Sequence, residues 1–80
     1  MELAQQVGMN IRVLRVRRRL SQEKLAERMG IERQQVSDIE LGKRNLTLLT
    51  VTRICQALNC QPSELFADTS IELSQGKRSR

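Results

Sequence analysis

The chain has 80 residues and a formal net charge of +5, with no histidine, tyrosine or tryptophan and a single phenylalanine. This length makes one small domain, and its core must be built from aliphatic side chains, which suits packed helices better than a sheet. Because the chain has neither an apolar run long enough to cross a bilayer nor an N-terminus of secretory type, we expect it to stay in the cytoplasm.

The sequence contains few residues of the types that carry out catalysis or bind metal ions. Without histidine or tyrosine, and without paired carboxylates converging on a serine or cysteine, the chain offers no acid–base set, so we expect neither an enzyme nor a cofactor. Cys55 and Cys60 cannot complete a tetrahedral zinc site, and we expect no bound metal. Cys55 is interpreted as a small buried hydrophobe at the apolar side of a helix, and no structural disulfide is expected.

The positive charge is distributed unevenly along the chain. Residues 1–20 carry five arginines against one glutamate, and residues 69–80 carry three basic residues against one glutamate, whereas residues 21–68 have a net charge of −1. Bulk charge therefore favours a polyanionic partner only weakly. A nucleic-acid hypothesis has to depend on individually placed side chains.

The first helix is predicted from about Leu3 to Arg18, with residues 1–6 frayed. Its buried face is defined by three apolar residues spaced i, i+4, i+7: Val7, Ile11 and Leu14. Gly8 is expected to be a local weak point, about 1 kcal/mol less favourable than alanine within a helix. The arginines that end this helix either complement its dipole or lie near a phosphate.

Residues 21–42 predict two short helices joined by a tight turn. Ser21 is a helix-capping residue, and Gly30 is a helix stop because glycine adopts the left-handed conformation without a steric penalty. The next helix is predicted to begin near Glu32 and to end at Gly42. The apolar positions of the two helices are Leu25, Ala26, Met29, Val36 and Ile39. Helices separated by so few residues cannot lie antiparallel, so the first presents the second outward.

The outward side of this third helix carries hydrogen-bonding side chains: Arg33, Gln34, Gln35, Ser37 and Asp38. Side chains of these types read base edges in the major groove of DNA, where arginine pairs with guanine and glutamine with adenine. Arg33 and Gln34 are the first choices for base contacts, and the other three are secondary. A solvated polar face is the alternative, but long side chains in the first turn directly after a glycine turn favour DNA.

Residues 21–31, with the sequence SQEKLAERMGI, and residues 36–44, with the sequence VSDIELGKR, resemble the helix-turn-helix of the phage Cro/repressor (XRE-like) family. The resemblance extends roughly from Val7 to Phe66. It implies an all-α, five-helix, λ-repressor-like DNA-binding domain, which we assign to residues 1–68. It also implies a bacterial or phage-encoded regulator of transcription, most simply a repressor, with its third helix in the major groove of double-stranded DNA.

A single helix-turn-helix buries too little surface for tight, selective binding, so we expect a homodimer on a palindromic operator. Gln22, at the amino end of the second helix, is expected to hold a phosphate through its amide and the helix terminus. Lys43, Arg44 and Asn45 form a polar loop at the place where the resembled family contacts the DNA backbone. A plain solvated loop is the alternative.

Arg15 lies at the edge of the buried stripe of the first helix, and Glu40 takes the matching position on the third helix, beside Ile39. Because a charge drawn towards an apolar core needs a partner, we predict an ion pair that orients the third helix against the first. The resembled family has such a bridge at these places. The alternative is that both side chains extend to water.

A fourth helix is predicted between a capping Thr47 and a left-handed Asn59, and Pro62 begins a short fifth helix. The residues predicted to fill the core and close the domain are Leu48, Val51, Ile54, Cys55, Leu58, Leu65 and Phe66. Leu49 falls off this stripe and is either exposed or faces a partner. Residues 69–80 are interpreted as a flexible basic tail, which joins Leu49 and the fifth helix as candidate dimer surface.

Two acidic residues depart from the pattern of the resembled family. Glu32 stands where a serine or threonine cap is common, and it either repels phosphate, accepts a hydrogen bond from cytosine or orients Arg33. Asp38 adds a second carboxylate on the same face. Both make the readout of bases unusual.

The sequence GKRNLTL at residues 42–48 is similar to the corresponding junction of restriction–modification controller proteins, which gives a controller hypothesis within the family. The main alternative from another class is an antitoxin or other protein-interaction module. Because no separate ligand-binding domain is present, we expect no small-molecule ligand.

Overall fold

The computed structural model describes residues 2–68 and contains five α-helices. They are α1 (Leu3–Arg17), α2 (Gln22–Met29), α3 (Arg33–Glu40), α4 (Leu48–Leu58) and α5 (Pro62–Leu65). No strand occurs within the described residues, so the prediction of an all-α, five-helix fold is confirmed. The flexible tail predicted for residues 69–80 lies outside them. None of the described helices has the length and apolar character needed to cross a lipid bilayer.

The helix boundaries form where local chemistry predicts them. The Ser21 hydroxyl accepts a hydrogen bond from the third backbone N–H of α2 at 2.9 Å, and Thr47 does the same for α4 at 3.1 Å. The three residues predicted to stop helices have left-handed backbones: Gly30 at φ +72°, Gly42 at φ +75° and Asn59 at φ +53°. Arg19, at φ +58°, closes α1 in the same conformation, and no glycine marks that position in the sequence.

The core is a single cluster to which all five helices contribute. Its most deeply buried side chains are Val7, Ile11, Leu25, Val36, Ile54, Leu58 and Leu65. α2 packs against α3 and α4, and α1 packs against α3 and α5. The two helices of the predicted helix-turn-helix are thereby held between α1 and α4.

Two residues predicted to be buried are exposed. Leu48 is 85% exposed, and Phe66 is also exposed, so Leu65 alone closes the core. The prediction is wrong for Leu48 because it is the first residue of α4. Side chains lean towards the amino end of a helix, so at the first position the side chain extends past the helix instead of packing on the core.

The prediction that residues 1–6 are frayed is wrong from Leu3 onward, because α1 begins there. The amide of Gln6 donates a hydrogen bond to the carbonyl of Ala67 at 2.8 Å. The buried amide of Asn10 donates to the carbonyls of Leu65 and Ala67, each at 2.8 Å. The C-terminal end of the fold therefore holds the first turns of α1 in place.

Gly8 marks the closest approach between α1 and α3. A Cβ atom added there would lie 2.6 Å from the carbonyl oxygen of Glu40 and would also collide with that of Ile39. Real Cβ atoms essentially never come so close to backbone. The glycine is therefore more than a weak point of helix propensity, because its missing side chain lets the two helices meet.

Candidate nucleic-acid interface

α3 turns one side to the core and the other to solvent. Val36 and Ile39 are buried, whereas Arg33 and Gln34 are exposed. The remaining candidates for base contacts, Gln35, Ser37 and Asp38, are half-buried. Within residues 2–68, no other helix covers the side that carries Arg33 and Gln34, so this side is open to a partner.

Gln35 has a structural role at the start of α3. Its side-chain carbonyl accepts a hydrogen bond from the backbone N–H of Glu32 at 3.0 Å. This bond satisfies one of the N–H groups that a helix start leaves without an intrahelical partner. It supplies a local bond where the resembled family commonly has a serine or threonine cap. This bond fixes the orientation of the Gln35 amide and leaves its NH₂ group without a partner within residues 2–68.

Asp38 connects α3 to the loop that follows it. Its carboxylate accepts a hydrogen bond from the Gln34 amide at 3.0 Å and lies 3.8 Å from Nε of Arg44. The backbone carbonyl of Asp38 also accepts from the N–H of Lys43 at 2.9 Å. The carboxylate that departs from the family pattern therefore orients two of the predicted DNA contacts.

Arg15 and Glu40 form a nearly buried ion pair between α1 and α3. Nε of Arg15 lies 2.6 Å from Oε2 of Glu40, and Nη2 lies 3.2 Å from Oε1. The third guanidinium nitrogen donates to the carbonyl of Leu20 at 2.7 Å. No buried side-chain polar atom among the described residues lacks a hydrogen-bond partner. The pair is thus fully satisfied, which is the condition under which a buried pair can hold two helices in register.

Gln22 joins this pair through its side chain. Its amide donates to Oε1 of Glu40 at 3.0 Å, so the side chain predicted to clamp a phosphate already has a partner within the fold. The backbone N–H groups at the amino end of α2 remain as donors, because the first turn of a helix lacks intrahelical acceptors for them.

A cleft of about 470 Å³ opens beside the amino end of α2. It is lined by Arg12, Arg15, Ser21, Gln22, Glu23 and Arg33. Arg12 was missed by the sequence analysis, although its i, i+3 spacing to Arg15 would have placed both on neighbouring positions of α1. Its guanidinium forms no ion pair within residues 2–68, and it adds positive charge beside Arg33.

The loop of Lys43, Arg44 and Asn45 is exposed along its whole length. It is held in place at its amino end. Gly42 packs so closely on Gln5 of α1 that an added Cβ would lie 2.8 Å from the Cα of Gln5, and its N–H donates to the carbonyl of Ile39 at 3.1 Å. Charged and amide donors on a fixed loop are suited to backbone phosphates.

The two cysteines form a pair of free thiols at the end of α4. Cys55 is buried and Cys60 half-buried, and the N–H of Cys60 donates to the carbonyl of Cys55 at 3.0 Å across the left-handed Asn59. Burial, and then the neighbouring Cys55, raise the pKa of the Cys60 thiol from 9.0 to about 11. Within residues 2–68, no group of three or more cysteine or acidic residues is arranged to hold a metal ion.

A family model described as helix-turn-helix matches residues 11–65. This span begins within α1, contains the whole of α2 and α3, and ends with α5. The chain belongs to the helix-turn-helix family of DNA-binding regulators.

Its relatives include proteins named for the control of restriction–modification systems. The control protein C.BamHI of Bacillus amyloliquefaciens is 38% identical over 72 residues, which cover 89% of each chain. The control protein C.SmaI of Serratia marcescens is 33% identical over 95% of this chain and 90% of the relative. The fold also matches the crystal structure of the restriction–modification controller protein C.AhdI from Aeromonas hydrophila, with a TM-score of 0.75. The two sequences are 38% identical, and the match covers 79% of this chain and 96% of that one.

Proposed function

We propose that this protein is an autoregulatory repressor of the restriction–modification controller type, acting in the cytoplasm of a bacterium. It binds a palindromic double-stranded DNA site as a homodimer, with α3 of each subunit in the major groove. The observation that carries the proposal is the open outward side of α3, whose inner side is fixed by the ion pair between Arg15 and Glu40. The control proteins among its relatives support the controller role.

Base contacts are assigned first to Arg33 and Gln34, the two exposed side chains at the start of α3. Arginine offers two donors to guanine, and glutamine offers a donor and an acceptor to adenine. Ser37 and Asp38 are secondary candidates because both are half-buried. Gln35 is also secondary, because it is half-buried and its carbonyl already accepts a hydrogen bond from the N–H of Glu32.

Phosphate contacts are assigned to the two ends of this surface. Lys43, Arg44 and Asn45 lie at one end, on the loop after α3. At the other end, Gln22 contributes its backbone N–H and the second N–H of its side-chain amide, the first being bonded to Glu40. Such contacts fix the position of the protein on the duplex and carry no sequence information themselves.

The dimer surface is assigned to an apolar patch beside the amino end of α4. Exposed hydrophobic side chains gather there: Leu3, Leu48, Leu49 and Phe66. Three of them, all except Leu49, line one groove together with Asn45 and Leu46. Because Leu48 follows the phosphate-contacting loop closely, a two-fold axis through this patch would place the two loops beside the axis and one α3 on either side of it.

The test is selection of bound sites from a pool of random duplexes by the purified full-length chain. We expect enrichment of a palindrome whose half-sites are centred about 34 Å apart, one turn of DNA. A single unrepeated half-site would contradict the dimer. If no duplex is enriched at low salt, the DNA-binding proposal fails, and a protein-interaction module such as an antitoxin becomes the better hypothesis.

A further inference from the structure

The outer side of α1 carries a stripe of three exposed apolar side chains. Met9, Val13 and Val16 are 52%, 39% and 57% exposed and are spaced i, i+4, i+7, so they lie one above another. We call them the outer stripe of α1. Single exposed hydrophobic residues are ordinary on protein surfaces, whereas a contiguous apolar stripe marks a place where something else packs.

A groove of about 400 Å³ runs beside this stripe, between α1 and the end of α5. Met9, Val13 and Ala67 contribute to its walls, and charged residues stand at its rim, Arg17 from α1 and Glu64 from α5. The groove is distinct from the apolar patch at α4, and α3 packs on a different side of α1, at Gly8. A segment lying in the groove would therefore leave the outward side of α3 open.

The chain leaves the described fold at the edge of this groove. The carbonyl of Ala67 accepts hydrogen bonds from Gln6 and Asn10, both at 2.8 Å, and Asn10 also holds the carbonyl of Leu65. These three bonds fix the backbone against α1 just before residue 69. Ala67, one residue before the end of the described range, lies in the groove beside Met9 and Val13.

We propose that residues 69–75 of the same chain lie along this groove and over the outer stripe beside it, with Ile71 against Val13 and Leu73 against Val16. In an extended segment these two residues share one side and are about 7 Å apart, close to the rise of about 5 Å between Val13 and Val16 along the helix. The four residues from Ala67 to Ile71 span up to about 13 Å. Asn10 holds Ala67, and Val13 lies about 5 Å further along α1 than Asn10. The segment is therefore long enough to reach the outer stripe.

Size and charge favour this occupant over a second copy of the chain. A stable interface between two copies needs about 800 Å² from each partner, far more than three side chains provide. A tethered segment needs much less buried area to stay bound, because its effective concentration at the groove is high. Between Ile71 and Leu73, the side chain of Glu72 then points away from the groove to water, so the docked segment buries no charge.

The direct test is nuclear Overhauser spectroscopy on the isotope-labelled full-length chain without DNA. We expect contacts between the methyl groups of Ile71 and Leu73 and those of the outer stripe. In a one-to-one mixture of labelled and unlabelled chains, these contacts should be absent from the spectrum filtered for intermolecular contacts. Contacts found only in that filtered spectrum would assign the groove to a second copy, and no contact to the stripe would overturn the proposal.

A double-mutant cycle supplies a second readout. Val16→Ala and Leu73→Ala are compared singly and together by urea unfolding of the full-length chain. We expect the effect of the double variant on the unfolding equilibrium constant to differ from the product of the single effects by at least about twofold. The matched control pairs Gln56→Ala, at an exposed position of α4 outside the proposed dimer surface, with Leu73→Ala, and its effects should multiply. If the effects of Val16→Ala and Leu73→Ala also multiply, the docking is wrong. Both experiments use DNA-free protein, so their outcome is separate from that of the proposed function.

Discussion

Arg15 and Glu40 meet side by side, with two nitrogens of the guanidinium 2.6 and 3.2 Å from the two carboxylate oxygens, although the residues are 25 positions apart in sequence. Their side chains are only 11% and 3% exposed. A charge pair so far from water is sensitive to the loss of either partner, because the remaining charge cannot regain its hydration. The orientation of α3 on α1 depends on this contact.

Glu40→Ala should therefore destabilise the protein strongly. We expect a loss of about 3–5 kcal/mol in the free energy of unfolding, because Arg15 is left buried without its counter-charge. Urea unfolding followed by circular dichroism measures it. Glu27→Ala is the control: it removes the exposed ion pair with Lys24, which is worth at most about 1 kcal/mol. Equal losses in the two variants would mean that the buried pair has no special structural role.

Gly8→Ala should also destabilise the fold, although alanine is the better helix former by about 1 kcal/mol. The added methyl group meets the backbone carbonyls of Ile39 and Glu40, which cannot move aside as a flexible side chain can. Such overpacking typically costs about 1–3 kcal/mol. Thermal unfolding checks the sign, and a variant with a higher melting temperature than the parent would contradict the close approach.

Arg33→Ala and Lys43→Ala should separate base contacts from phosphate contacts. Arg33→Ala is expected to weaken binding to the selected site by about 1–3 kcal/mol and to relax preference at one base pair. Lys43→Ala is expected to weaken binding to every duplex alike and to lower the salt slope by about 1. Fluorescence titration against the selected site and a random duplex, at several salt concentrations, distinguishes them. If both variants affect the two duplexes equally, the division of roles is wrong.

Leu48→Glu should weaken self-association without unfolding the chain, since the side chain is exposed and outside the core. A charge buried in the centre of a dimer interface should raise the dimer dissociation constant at least about tenfold. Sedimentation equilibrium without DNA measures this. Gln56→Glu, which makes the same change in charge at another exposed position of α4, should leave association unaltered. An unchanged dimer in Leu48→Glu would place the interface elsewhere.

The Cys60 thiol should react slowly with alkylating agents at neutral pH. Burial and the adjacent Cys55 raise its pKa from 9.0 to about 11, so the rate of alkylation by iodoacetamide should rise around pH 11 instead of pH 9. Because the fold favours the neutral thiol, its contribution to stability is complete below about pH 9 and is lost as the pH rises through about 11. Mass spectrometry of the alkylated residue follows the reaction, and a midpoint near pH 9 would show that the thiol is not shielded.

Apart from the ion pair between Arg15 and Glu40, the predictions that the structure confirms depend on neighbours in sequence. Ser21 and Thr47 cap helices through a backbone N–H three residues away, and Gly30, Gly42 and Asn59 stop helices through their own backbone dihedral angles. Such features are encoded within one turn of a helix. The repeat of apolar residues at helical spacing also predicted the number of helices and most of the core residues.

What the sequence alone determined is therefore the set of helices, their ends and the family. What only the tertiary structure decided is how side chains are shared between helices distant in sequence. Gln22 binds Glu40, Gln6 and Asn10 hold the backbone at Ala67, and Gly8 makes room for α3. The physical reason is that these hydrogen bonds and close approaches join segments 18 to 61 residues apart, and no local pattern records which of several polar side chains will meet once the helices pack.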